Sequence, residues 1–200
     1  MTTSSAAVSR RAFLSAVGTG LLAAAVFVHD PAAALADPRA EQFVASIGDA
    51  VLAAARAGSE SQFRAVMRRS ADIPTIANYS LGRYRSRLPA NQRQEYYRLF
   101  EGYIANVFLA NANKISGSKL NITGSQSRSD SVIVTSQVEF SDGRPAMPVL
   151  WRLVKSGGGY KIFDVNVQGV WLAGLTQQSF VSVISQNNGD MTSLINFLKK

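Results

Sequence analysis

Along the chain the apolar positions recur first at helical spacing, then at alternating spacing, then at helical spacing again. Phe43, Ile47, Val51 and Leu52, with alanines between them, predict a helix over 37–56 that Gly58-Ser59 stops. Ser59 or Ser61 can cap a second helix, with Phe63, Val66 and Met67 on one face and Arg64, Arg68 and Arg69 largely on another. Pro74 suits the first turn of a short third helix that ends near 79–82. Leu88-Pro89-Ala90-Asn91 breaks the chain and opens a long helix over 91–111. Tyr96, Leu99, Phe100, Tyr103, Ile104, Val107 and Phe108 cover more than one stripe of it, so it should be buried on more than one side.

The period then changes to two. Segments 119–126, 131–140, 148–155 and 160–170 read as strands, and Val132, Val134 and Val138 carry the β-branched signal of the second. Polar and glycine-rich turns separate them, which implies antiparallel pairing of consecutive strands. Segment 160–170 is irregular. Tyr160 and Ile162 lie on one parity, Phe163, Val165 and Val167 on the other, so neither face is cleanly polar. Two helices, 174–186 and 190–198, follow, with Asn187-Asn188-Gly189 between them. Helices, a curved antiparallel sheet of about four strands, and helices again make an α+β fold, with a helical layer over one face of the sheet.

The 200 residues suffice for one domain with a real core. The N-terminus narrows the destination. Ser9-Arg10-Arg11-Ala12-Phe13-Leu14 precedes an apolar run over 16–28 and an Ala34-Leu35-Ala36 end, the layout of a twin-arginine export signal. Cleavage after Ala36 is expected, leaving 37–200 as a single domain. The apolar run is short for a membrane span and Asp30-Pro31 interrupts it. Removing 1–36 takes Arg10, Arg11 and Asp30 away, leaving 19 basic and 12 acidic residues, a net charge of +7. That excess points to an anionic partner. Export argues against nucleic acid.

The only histidine, His29, lies in the signal, and the chain has no cysteine. No Ser-His-Asp triad, Cys-His pair or imidazole metal site can be assembled after export. Ser156-Gly157-Gly158-Gly159 joins two strands and is a hairpin, not a phosphate cradle. Asp164 interrupts an apolar strand and is the one carboxylate that an enzymatic reading would test. No metal, cofactor or catalytic residue is expected. Basic residues cluster at 64–69 and again at Arg83, Arg85, Arg87 and Arg93. From these Arg64, Arg68, Arg83 and Arg85 are the candidates for docking anionic lipid heads or acidic surfaces.

Leu81-Gly82-Arg83-Tyr84 with Gln92-Arg93 and Phe100, the strand Tyr160-Lys161-Ile162-Phe163-Asp164-Val165, Gly169-Val170 with Leu172, and Phe180, Ile184, Asn188-Gly189 and Leu194 occur in an order that resembles the MlaC-like, or toluene-tolerance, family. The resemblance spans about 39–198. It departs at Arg85, where the family often has Trp, at Trp171, where it often has Ser, and at Gln178, where it often has Arg. What it implies is a soluble periplasmic carrier with a lipid pocket between sheet and helices. The ligand would be a phospholipid, or a hopanoid in a related branch. Its partners would be an inner-membrane ABC transporter complex with an MCE protein and an outer-membrane lipoprotein complex.

On that reading the lining draws on Ile76, Tyr79, Phe100, Ile104, Val107 and Phe108 from the helices before the sheet. Val134, Leu150, Leu153, Phe163 and Val165 come from the strands, and Trp171 and Phe180 from beyond them. Each would supply apolar contact. The alternative is an envelope scaffold with a filled core that binds acidic partners through its basic face.

Overall fold

A computed structural model describes residues 35–199. The expected export signal, apart from Leu35 and Ala36, lies outside them. Helix α1 (Pro38–Ala57) starts where Asp37 accepts the Ala40 N–H at 3.0 Å and ends at Gly58, whose φ of 56° suits glycine. Ser59, not Ser61, caps α2 (Glu60–Ser70), and Asp72 caps α3 (Ile73–Ser80). Two 3-10 turns, Gly82–Arg87 and Ala90–Gln92, lead into α4 (Arg93–Leu109), two residues later than periodicity predicts, since the chain first makes the tighter turn after Pro89.

The sheet follows: β1 (Lys119–Ser127), β2 (Ser131–Glu139), β3 (Met147–Ser156), β4 (Gly159–Val167) and β5 (Val170–Trp171), antiparallel in sequence order and not closed. Gly157 and Gly158, with φ of 56° and 77°, make the two-residue β3–β4 hairpin, whose twist demands positive φ at both positions. The expected last strand over 160–170 is two elements. Gln168 and Gly169, at φ 52° and 89°, turn the chain back, so Val170–Trp171 pairs with β4 as a short fifth strand. Helices α5 (Leu172–Gln186) and α6 (Met191–Leu198) close the fold.

Two apolar clusters result. One joins α2–α6 around Tyr96, Phe100, Leu81, Phe180, Ile184 and Leu194. The other sets α1 and Val66 of α2 against Val132, Val134, Val149, Trp151, Leu153 and Ile162 on the inner face of the sheet. Val51 and Ala71 touch both. Gly48 lets α1 lie directly on β1, because any Cβ there would run into the Leu120 side chain. At the seam, Ala71 bridges Ile162, and the Asp72 N–H donates to the Ile162 carbonyl at 3.2 Å.

The irregular alternation of β4 comes from a bulge in its pairing with β3. Leu153 pairs with Ile162, whereas Arg152 pairs with Asp164, so Phe163 is an extra residue opposite the β3 ladder. One inserted residue reverses the facing of everything after it. Tyr160 and Ile162 therefore share the inner face with Val165 and Val167, although their parities differ. Asp164 and Asn166 are turned to the outer face beside Arg152 and Leu150.

Candidate functional site

The inner face of the sheet carries one polar device in apolar surroundings. The Trp151 indole N–H donates to Ser136 Oγ at 2.8 Å, and that hydroxyl donates to the Val149 carbonyl at 3.0 Å. Both polar groups are thereby satisfied, and the indole is fixed within the cluster that contains α1. At the rim, Asp37 Oδ2 accepts the Tyr160 hydroxyl at 2.7 Å, and Ser125 Oγ accepts the Asp37 N–H at 2.7 Å. Burial opposes ionisation of Asp37, but the Tyr160 hydroxyl and the Ala40 N–H outweigh it and hold its carboxyl below the ordinary aspartate value.

Asp164 does structural work from the outer face. Its Oδ1 accepts the Val165 N–H and the Ala173 N–H, each at 2.8 Å. The second bond satisfies a free donor in the first turn of α5, which has no side-chain cap of its own, so a strand carboxylate fixes where that helix begins. Burial pushes the Asp164 carboxyl above its ordinary value, against the pull of those N–H groups and of Arg152. The Arg152 guanidinium lies 4.2 Å from the centre of the Trp171 ring. Asp164 thus has a structural role at the start of α5. Among the described residues no group of His, Cys, Asp and Glu could hold a metal ion, and no helix is long and apolar enough to cross a membrane.

The thirteen expected lining residues are dispersed. Phe100 and Phe180 meet edge to face in the helical cluster, ring centres 6.1 Å apart. Ile76, Ile104 and Phe108 pack against that cluster, Phe108 stacked on Phe63 at 3.8 Å. Val134 and Leu153 are buried on the inner face of the sheet, with Val165 beside them. Tyr79 reaches Phe163 at the bulge, ring centres 5.5 Å apart, and so connects α3 to the sheet. Leu150 and Trp171 flank Asn166 on the outer face, and Val107 is 46% exposed.

The four expected docking arginines separate into two pairs. Arg64 and Arg68 of α2 converge on Glu101 of α4, a residue only 7% exposed. Arg68 Nε donates to Glu101 Oε2 at 3.1 Å, and a terminal nitrogen of Arg68 at 2.8 Å and Arg64 Nε at 3.3 Å lie beside Oε1 as ion pairs without hydrogen-bond alignment. Gly102 leaves room for the Arg64 guanidinium. These two arginines hold α2 to α4. Arg83 and Arg85 instead line an open depression of about 370 Å³ with Asn78, Gly82, Ser86 and Arg93. Sequence reasoning left Arg93 and Asn78 out of the docking set. Arg93, grouped with Arg83 and Arg85 by sequence, starts the helix after the turn that carries them, and folding brings Asn78 of α3 beside all three.

A family model described as MlaC protein matches residues 40–200. No curated protein matches the chain. Among solved structures, a phospholipid-binding protein from Ralstonia solanacearum, in complex with a phospholipid, superposes with a TM-score of 0.69 at 22% identity, covering 80% of this chain and 94% of that one. The likeness is one of fold: helices, an open antiparallel sheet and closing helices in the same arrangement. With the family model spanning nearly all of the described region, the chain belongs to the MlaC protein family.

Proposed function

We propose that this protein is a non-enzymatic periplasmic carrier that takes the acyl chains of a phospholipid into the seam between its two apolar clusters. The observation that carries this reading is the seam itself, in a member of a family whose fold is shared by a protein solved with phospholipid. The two apolar clusters meet there, where Val51 and Ala71 pack against both. Chains entering between them would exchange protein contacts for lipid contacts without exposing apolar surface. Burying two acyl chains removes several hundred Å² from water, roughly 10 kcal/mol at about 25 cal/mol per Å². Passive release would be slow, so delivery needs partners that open the seam. An inner-membrane ABC transporter complex with an MCE protein and an outer-membrane lipoprotein complex are those the resemblance implies. The export signal expected from the sequence, and the net charge of +7 that its removal would leave, support the periplasmic location and anionic partners.

Organic extraction and lipid mass spectrometry of protein purified from the periplasm without detergent tests the reading. Stoichiometric phospholipid is the expected result, and stoichiometric hopanoid would move the protein to a polycyclic ligand. An empty, folded protein that added lipid does not saturate would refute it. The two tryptophans then locate the ligand, since Trp151 faces the inner side and Trp171 the outer. In a Trp171→Phe variant, phospholipid with a quencher at mid-chain should quench Trp151. Quenching confined to Trp171 in the wild type would place the lipid on the wrong face.

A further inference from the structure

The depression at Arg83, Arg85 and Arg93 has features that the apolar seam does not require. Three guanidinium-bearing residues line it with the amide of Asn78 and the hydroxyl of Ser86, and no carboxylate is among its walls. Among the described residues none of the three arginines has an acidic partner within 4.0 Å, in contrast to Arg64, Arg68 and Arg144. Three like charges left together disfavour one another, and an anion bound among them would remove that cost.

The backbone holds the cluster in place. Gly82 turns the chain at φ 51° while packed against Val181 and Gln177 of α5, so a side chain there would be both strained and crowded. Tyr84, the residue between Arg83 and Arg85, is buried, with the Arg83 guanidinium 5.2 Å from its ring centre. Asn78 donates to the Tyr97 hydroxyl at 2.9 Å, which orients its amide. The next residue, Tyr79, points to the sheet and meets Phe163, while its carbonyl accepts from Gln177 at 2.6 Å. A basic polar pocket therefore adjoins, through one half-exposed tyrosine, an aromatic pair on the way to the sheet. That is the layout for a molecule with an anionic end and an apolar end.

We infer that Arg83, Arg85 and Arg93 form a phosphate-binding site for the head group of the bound lipid, a phosphodiester with acyl chains attached. The inference rests on the phospholipid-carrier reading and adds the residues that select an anionic head. Arginine suits the role because its planar fork pairs two N–H groups with two phosphate oxygens. The openness of the depression leaves the rest of the head group in water.

The test compares short-chain phosphatidylglycerol, the matching diacylglycerol without phosphate, and inorganic phosphate, binding to the purified protein by calorimetry. The variants are R85Q, the triple R83Q/R85Q/R93Q, and a control triple of equal charge change, R56Q/R69Q/R128Q, on exposed sites elsewhere. All six positions are on the surface, and thermal melts check that each variant folds. Wild type and control should bind phosphatidylglycerol at least tenfold more tightly than diacylglycerol. The site triple should lose that preference while keeping its affinity for diacylglycerol, and R85Q should lose part of it. Equal loss in the control triple would reduce the effect to net charge and overturn the inference. So would an undiminished preference in the site triple, or no preference in wild type. Inorganic phosphate that binds while phosphatidylglycerol does not would show an anion site unconnected with lipid, also against it. If neither lipid binds any form, the carrier reading itself fails.

Discussion

Asp164 shows how one side chain can be misread without its neighbours. Polar in an apolar strand, it is the chain's best catalytic candidate on sequence grounds, yet its Oδ1 is used up by two backbone N–H groups. Replacement by Asn preserves an acceptor there and removes the cost of burying a charge. Because the folded carboxyl lies above its ordinary value, the folded state holds its proton more tightly than the unfolded one. Ionisation therefore costs stability as pH rises through that range, and the cost disappears at acid pH. Asp164→Asn should be at least as stable as wild type at pH 7, with the difference closing below the ordinary aspartate value near 4. Asp164→Ala strands a buried donor at the start of α5 and should lose roughly 2 kcal/mol. Urea titrations at both pH values decide it, and an Asn variant as unstable as the Ala variant would assign the role to the charge.

Elements are joined here by a few long-range devices that periodicity does not reveal. Glu101 is the clearest. On sequence it is an ordinary helix carboxylate, and Arg64 and Arg68 are candidates for docking. Folded, the three tie α2 to α4, with Arg68 the better aligned partner. Removing one member of a buried pair leaves the others uncompensated, so Glu101→Gln should cost about 2 kcal/mol, less than a fully buried pair because Arg68 is largely solvated. A double-mutant cycle with Arg68→Gln should show coupling, and additive losses would break the clamp. The β4 bulge is a second device. Deleting Phe163 removes the extra residue and leaves Ile162 opposite Leu153 and Asp164 opposite Arg152, so the facing of β4 is kept and the variant should fold, losing the Tyr79–Phe163 contact. Deleting Val165 instead must put Asp164 or Asn166 on the inner face and should leave the chain unfolded or aggregated. Circular dichroism and size-exclusion chromatography separate these outcomes, and a well-folded Val165 deletion would mean that register is set elsewhere.

Taken together, the layers give a protein whose stability should depend on its ligand. A phospholipid held in the seam binds the folded state alone, and at a hundredfold excess over Kd this is worth about 2.7 kcal/mol. For a domain of this size each kcal/mol moves Tm by roughly 2–4 °C. Delipidated protein should therefore melt about 5–10 °C below the loaded form, by calorimetry. Equal Tm values would mean that the lipid adds nothing to the packed cores.

Much of this was legible in the amino-acid order. The cap at Ser59 or Ser61, the Pro74 start, the valine strand and the glycine hairpin act over a few residues, so local periodicity and turn chemistry sufficed to place helices, strands and their α+β order. The absence of cysteine, and of histidine beyond His29, is likewise a property of the chain alone. The inner face of β4 depended on a bulge defined only against β3. Whether an arginine was spent on Glu101 or left around an open depression depended on which helices came to lie side by side. The thirteen apolar residues were divided between two clusters, the outer face of the sheet and the surface for the same reason. Secondary structure follows from contacts a few positions apart, whereas facing, pairing and enclosure are made by residues tens of positions distant, and only tertiary packing decided those.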